Sequence, residues 1–242
     1  MRSLVTALRF LTRIPLPGAP TRAEELGRAV AWFPLVGALV GLATAGVFTL
    51  ARSLWPAPVA AVLAVACGLM LTGGLHEDGA SDAADGLGGG QTPERVVEIM
   101  RDSRIGAYGA MALWVLLSFR WAALVALDGR ALLALPLAMA WGRWSLAVLL
   151  TVLPPVSKGL SSQVGQGLGR MPLLLATVLA GLLTLAARAL GLPVLWQPVA
   201  AAAATLLAWG YYLERRLGGQ TGDLLGACNQ LVESAVLLVL IR

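Results

Sequence analysis

As a pattern of apolar and polar positions, the chain is a series of long charge-poor runs divided by short polar ones. A helix needs roughly 20 apolar residues to cross the hydrocarbon core of a bilayer. Residues 29–51 and 53–75 supply two such runs, and 105–127 and 131–157 two more, interrupted only by Arg120 and Arg143. Residues 171–187, 189–213 and 224–241 complete the set, the last broken by Glu233. The pattern predicts an all-α, polytopic membrane bundle with about seven transmembrane helices, within limits of six and eight, and one catalytic domain over 1–242.

Composition makes the bilayer assignment firm. Hydrophobic residues are 58% and charged residues only 13%, with a mean hydropathy of +0.78, against about 45–50% and about 25% in soluble domains. Disorder, collagen-like repeats and coiled coil are excluded on the same grounds. The net charge of +5 does not indicate nucleic acid, because the basic residues are scattered between apolar runs instead of forming a patch. Cys67 and Cys228 fit neither a disulfide framework nor a zinc pattern and read as buried thiols. No cleavable signal precedes the first run.

Lys and Arg in short loops set orientation. With the N-terminus cytoplasmic, Arg2, Arg9, Arg13, Arg22, Arg28, Arg95, Arg101, Arg104, Lys158, Arg170, Arg215 and Arg216 share one side, and only Arg52, Arg130, Arg188 and Arg242 fall on the other. The acids segregate too. Glu77, Asp78, Asp82, Asp85, Glu94, Glu98 and Asp102 lie in 74–105, a cytoplasmic acidic glycine-rich loop followed by a surface helix, and Glu214 and Asp223 in a second cytoplasmic loop at 214–223.

In the first loop, Asp78, Asp82 and Asp85 fall within about 60° of one another on a helical projection. Like charges so spaced repel, and a divalent cation held by oxygen, Mg²⁺ or Mn²⁺, relieves the repulsion. A solvated acidic loop is the alternative. The Asp-x-x-Asp-Gly at 82–86 resembles the metal signature of the CDP-alcohol phosphotransferases, although the downstream part of that signature is absent. His76 is the lone histidine and a candidate catalytic base, yet a helix that starts before it turns it away from the three aspartates. Thr92-Pro93 reads as a helix start. Arg101 and Arg104 at the end of that helix suit phosphate oxygens. Arg143 is an intramembrane charge, functional by default, whereas Arg120 beside Trp121 also fits an interfacial position. Gly218-Gly219-Gln220-Thr221-Gly222-Asp223 offers backbone N–H groups, two polar side chains and a further carboxylate, or a plain glycine-rich turn.

Several segments together resemble the cobalamin synthase family, the adenosylcobinamide-GDP ribazoletransferases. They are Arg9-Phe10-Leu11-Thr12-Arg13-Ile14-Pro15, Trp32-Phe33-Pro34-Leu35-Val36-Gly37, the Gly73–Gly90 block, Met100 to Gly109, Gly142-Arg143-Trp144 and Gly219 to Asp223. Their order and spacing span nearly the whole chain, with Ala80-Ser81 the one small departure. The resemblance implies an Mg²⁺-dependent membrane phosphotransferase in a bacterial or archaeal cytoplasmic membrane, with its active site on the cytoplasmic side. It implies that a hydroxyl of α-ribazole, or of its 5′-phosphate, displaces GMP from adenosylcobinamide-GDP in the lower-ligand assembly step of vitamin B12. The residue chemistry then points to Asp82 and Asp85 as metal ligands and to Asp78 as ligand or base. Glu77 and Asp223 are lesser metal candidates, and Arg101, Arg104, Arg143, Gln220 and Thr221 substrate contacts. A CDP-alcohol phospholipid phosphotransferase and a corrinoid transporter are the rival readings. A transporter would place its charges at midplane in repeated halves, and no internal repeat is present. Oligomeric state stays open, homo-oligomer included.

Overall fold

The computed structural model describes residues 2–16, 23–157, 164, 168–194 and 196–242, so Arg22 and Lys158 of the orientation argument lie outside the described residues. The first helices are α1 (Arg2–Leu11), α2 (Ala23–Ala29), α3 (Phe33–Arg52), α4 (Ala57–Thr72), α5 (Leu75–Gly89) and α6 (Pro93–Met100). After these come α7 (Ala107–Leu127), α8 (Ala131–Val152), α9 (Arg170–Ala189), α10 (Gln197–Leu217) and α11 (Gly222–Leu240). The described residues contain no strand, only an isolated parallel bridge between Pro155 and Gln220.

The all-α membrane bundle is as the apolar pattern predicts; the count of seven spans is not confirmed. Among the described residues, four continuous runs are long and apolar enough to cross a membrane: Glu25–Arg52, Ala107–Val152, Arg170–Ala189 and Gly222–Leu240. A fifth exists only if α4 and α5 are joined, and these are bent by 89°. The physical reasons are local. The predicted 53–75 run stops at Thr72, because Gly73 and Gly74 take left-handed φ of 68° and 67°, which a residue with a Cβ rarely adopts. That leaves α4 at 16 residues, about 24 Å of helix and short of the hydrocarbon thickness. Helices α7 and α8 run on as 46 residues through the turn at Asp128–Arg130, although at 21 and 22 residues each is long enough to cross by itself. Helix α10 is diluted by its alanine stretch and by Glu214, Arg215 and Arg216 at its end. Helix α5 has five ionisable side chains in 15 residues and is not an apolar span.

Helix α8 is the hub of the bundle, packed on α3, α9, α10 and α11. Its contact with α3 is close because Gly37 and Gly41 face it: a Cβ on Gly41 would sit 2.6 Å from Cα of Pro136. Small residues four apart let membrane helices approach to backbone contact. Trp141 donates from its indole N–H to the Thr184 hydroxyl at 3.1 Å and ties α8 to α9. Helix α5 lies between α7 and α11, so a helix with five ionisable side chains is walled by two apolar ones.

Candidate active site

The segment expected as an acidic glycine-rich loop is helical from Leu75 to Gly89. Its glycines make it a poor helix on its own, at a cost of about 1 kcal/mol each against Ala, and they make it narrow. A Cβ on Gly79 would lie 3.1 Å from Cα of Asp223, and one on Gly226 would lie 3.2 Å from the His76 carbonyl oxygen. Small residues at the crossing therefore bring α5 against the start of α11, placing Asp223 beside the α5 carboxylates.

The aspartates share one helical side but differ in role. Asp78 is exposed, Asp82 half-buried and Asp85 buried. Asp78, Asp223 and Asp85 all act electrostatically on Asp82, and Asp78 and Arg101 act on Asp223. These carboxylates belong to one electrostatic cluster. Asp85 is already engaged: one oxygen accepts from the Gly106 N–H at 2.7 Å and the other from the Gly109 N–H at 2.9 Å. It caps the positive end of α7. The approach requires glycines, since a Cβ on Gly106 would stand 2.9 Å from the Asp85 carboxyl carbon. The sequence reading placed Asp85 with Asp82 as metal ligands, whereas in the structure its oxygens hold α7.

Glu77 faces the opposite way, into the bundle. Arg120 donates to Glu77 at 2.6 Å, to the Gln230 side-chain oxygen at 2.5 Å and to Glu233 at 2.9 Å. Arg143 donates to Glu233, whose same oxygen accepts from Asn229 at 2.9 Å, and Gln230 also donates to Glu77 at 3.2 Å. All seven residues are buried, counting His76, whose Nδ1 is 3.5 Å from Arg143. Two carboxylates and two guanidiniums cancel, which is how ionised groups are tolerated in an apolar interior. Arg143, expected to hold phosphate, is 2% exposed and committed to Glu233; Arg120 is internal and not interfacial. The sequence reading missed Glu233, Asn229 and Gln230. The signal for Glu233 is an acid inside an apolar run, in a chain with two intramembrane arginines that require acids.

The other sequence candidates are spread along the edge of the cluster. Thr221 caps α11, its hydroxyl accepting from the Leu224 N–H at 3.3 Å, and is 3.8 Å from the Met100 sulfur. Gln220 is wholly buried with both amide atoms unpartnered. Its backbone pairs with Pro154 and Val156. Arg104 is tied to Asp102 at 2.6 Å, and these hydrogen bonds hold the Asp102 carboxyl down at about 2. Thr92 caps α6, its hydroxyl accepting from the Arg95 N–H at 3.3 Å. A cavity of about 200 Å³ opens on the cluster, lined by Phe10, Phe33, His76, Asp78 and Asp223 among others. Among the described residues, no three His, Cys, Asp or Glu side chains converge as a ready-made metal cage. Among the described residues, Asp78 and Asp82 make no ion pair, and Asp223 is bonded only locally, to the Thr221 side chain and its own backbone.

A helical membrane protein that gathers free carboxylates beside a small cavity and reserves a charge-neutral network for its interior is built for polar chemistry at the edge of a bundle. The chain belongs to the cobalamin-5-phosphate synthase family, whose model matches residues 3–241. Similar proteins include the adenosylcobinamide-GDP ribazoletransferase of Ralstonia nicotianae, 42% identical over 99% of this chain and 95% of that protein. The proteins of the same name from Mesorhizobium japonicum and Bradyrhizobium diazoefficiens are 42% and 40% identical over 96% and 99% of this chain and 90% and 94% of their own lengths. No solved structure matches the chain.

Proposed function

We propose that this protein is an adenosylcobinamide-GDP ribazoletransferase. A hydroxyl oxygen of α-ribazole, or of its 5′-phosphate, attacks the phosphorus that carries the cobinamide arm. The bond from that phosphorus to the bridging oxygen breaks, and GMP leaves with the bridging oxygen. The hydroxyl proton passes to a carboxylate of the cluster, and adenosylcobalamin or its 5′-phosphate forms. The observation that carries this reading is the gathering of Asp78, Asp82 and Asp223 in a chain that matches ribazoletransferases end to end.

Phosphoryl transfer is chiefly positioning and charge neutralisation, and acids alone would repel a pyrophosphate. Mg²⁺ commonly takes one or two carboxylates and completes its shell with water and phosphate, so a cluster of free carboxylates short of a full cage fits it. Asp78, Asp82 and Asp223 would hold the ion, which when bound supplies the positive charge that stabilises the departing GMP. Arg101 adds a guanidinium beside Asp223. The bias of basic residues toward the N-terminal side of the membrane supports a cytoplasmic site, where nucleotide substrates are made. The test is GMP release from adenosylcobinamide-GDP and α-ribazole phosphate by the purified protein in detergent, with and without Mg²⁺. Release that needs both substrates and the metal is the expected result. A preparation that releases no GMP under any of these conditions refutes the assignment.

A further inference from the structure

A cleft of about 700 Å³ lies outside the carboxylate cavity, lined by Pro93, Glu94, Val97, Glu98 and Arg101 of the α6 segment and by Val156, Ser157 and Leu217 opposite. The other large hollow, about 630 Å³ along α9, is walled mostly by apolar side chains such as Met171, Leu175, Val178 and Leu182, with Arg28 and Ser3 also in its lining. It has a cation but no carboxylate to accept from the N–H donors of a base. The cavity at Asp78, about 200 Å³, is too small to hold a base, a ribose and a phosphate together.

The polar cleft has two uncommitted charges of opposite sign on one helix face. Glu98 is neutralised by Arg95 at 2.7 Å, whereas neither Glu94 nor Arg101 makes an ion pair with the described residues. Glu94 and Arg101 are seven residues apart, two turns of helix. They therefore point the same way, about 10 Å apart along the axis, with Val97 on the same wall between them. Arg101 is the end nearer the reaction centre, since it acts electrostatically on Asp223. Val156, on the far wall, donates its N–H to the Gln220 carbonyl at 3.0 Å, in the segment that leads into α11. One end of the cleft thus adjoins the carboxylate cluster and the other ends at a bare carboxylate.

We propose that this cleft is the guanine-nucleotide subsite. Arg101 binds phosphate, Val97 and Leu217 flank the base, and the Glu94 carboxylate accepts hydrogen bonds from guanine N1–H and N2–H. The base preference follows from donor and acceptor chemistry. An ionised carboxylate only accepts and pairs with the two adjacent donors of guanine, but it meets a lone pair at N1 of adenine. Charge-assisted bonds of this kind are among the stronger ones. The inference rests on the proposed transferase reading, because that reading supplies GMP as a product that must be held and released.

Equilibrium dialysis of GMP, IMP and AMP against the purified full-length protein in detergent tests it. The wild type is expected to bind GMP about tenfold or more tightly than AMP. E94Q, at an exposed position, weakens GMP by about tenfold and narrows the GMP-to-AMP ratio. R101Q weakens GMP and AMP by the same factor. An E94Q protein with unchanged GMP affinity and an unchanged ratio overturns the subsite, as does a wild type that binds no GMP. GMP release assayed on the same wild-type preparation keeps the two failures apart. Release with an unaltered E94Q ratio refutes the cleft alone, and absent release refutes the transferase reading.

Discussion

Replacing Glu233 by Gln tests the internal charge network directly. The side chain keeps its shape, and one oxygen remains to accept a hydrogen bond, but the balance of two acids and two bases becomes one acid and two bases. Arg120 retains Glu77 at 2.6 Å. Arg143 loses its one ion-pair partner among the described residues, and its Nε already has no hydrogen-bond partner there. Breaking a buried pair by removing one member costs about 3–5 kcal/mol, a large share of the roughly 5–15 kcal/mol by which proteins are stable. For a chain of this size about 1 kcal/mol corresponds to about 2–4 °C, so E233Q is expected to unfold some 6–20 °C below wild type in a thermal melt of the detergent-solubilised protein. Adding Arg143→Met removes the stranded cation and restores neutrality, and the double variant is expected to regain more than half of the loss. A single variant within about 2 °C of wild type would refute the argument. A double variant no better than the single one would place the cost in packing and not in charge.

Other sites give independent outcomes. D82N is expected to abolish Mg²⁺-dependent GMP release while the protein elutes as a folded species by size exclusion, and wild-type turnover by that protein would remove Asp82 from the site. G109A forces a Cβ against the Asp85 carboxylate and the Ser81 carbonyl oxygen at 2.9 Å. It should destabilise by about 1–3 kcal/mol, seen as a lower melting midpoint, whereas G46A serves as control with a midpoint at or above wild type, because nothing lies within 4 Å of that position and Ala is the better helix former. G41L, pressed against Pro136, should lose most of the folded protein recovered from membranes. R104A, by contrast, removes an 86% exposed side chain that among the described residues is tied only to Asp102. Exposed pairs contribute about 0–1 kcal/mol, so the melting midpoint is expected to stay within about 2 °C of wild type.

Much of the architecture was legible because it depends on residue type and spacing. Apolar runs located α3, α4, α7, α8, α9 and α11 to within about five residues and placed the start of α10 eight residues early, and Thr92-Pro93 located the start of α6 through cap chemistry that acts over one turn. The 89° break after Thr72 was harder to see. Paired glycines permit a left-handed turn without requiring one, and the sequence reading ran the span through to residue 75. Asp85 shows the same limit for the site. Periodicity aligned it correctly with Asp78 and Asp82, yet its oxygens are taken up by two backbone N–H groups more than twenty residues away.

The sequence by itself determined the solvent and the chemistry of this protein. An excess of apolar residues needs a bilayer, and the scarcity of charge makes each acid and each arginine a candidate. Only the tertiary structure decided which acids are free. Hydropathy and helical spacing report what one element presents, but whether a carboxylate meets a guanidinium, a helix end or open space depends on what the neighbouring helices bring to it. Glu77 and Asp78 are adjacent in the chain, and packing sends one into a neutral internal network and leaves the other at the mouth of the cavity.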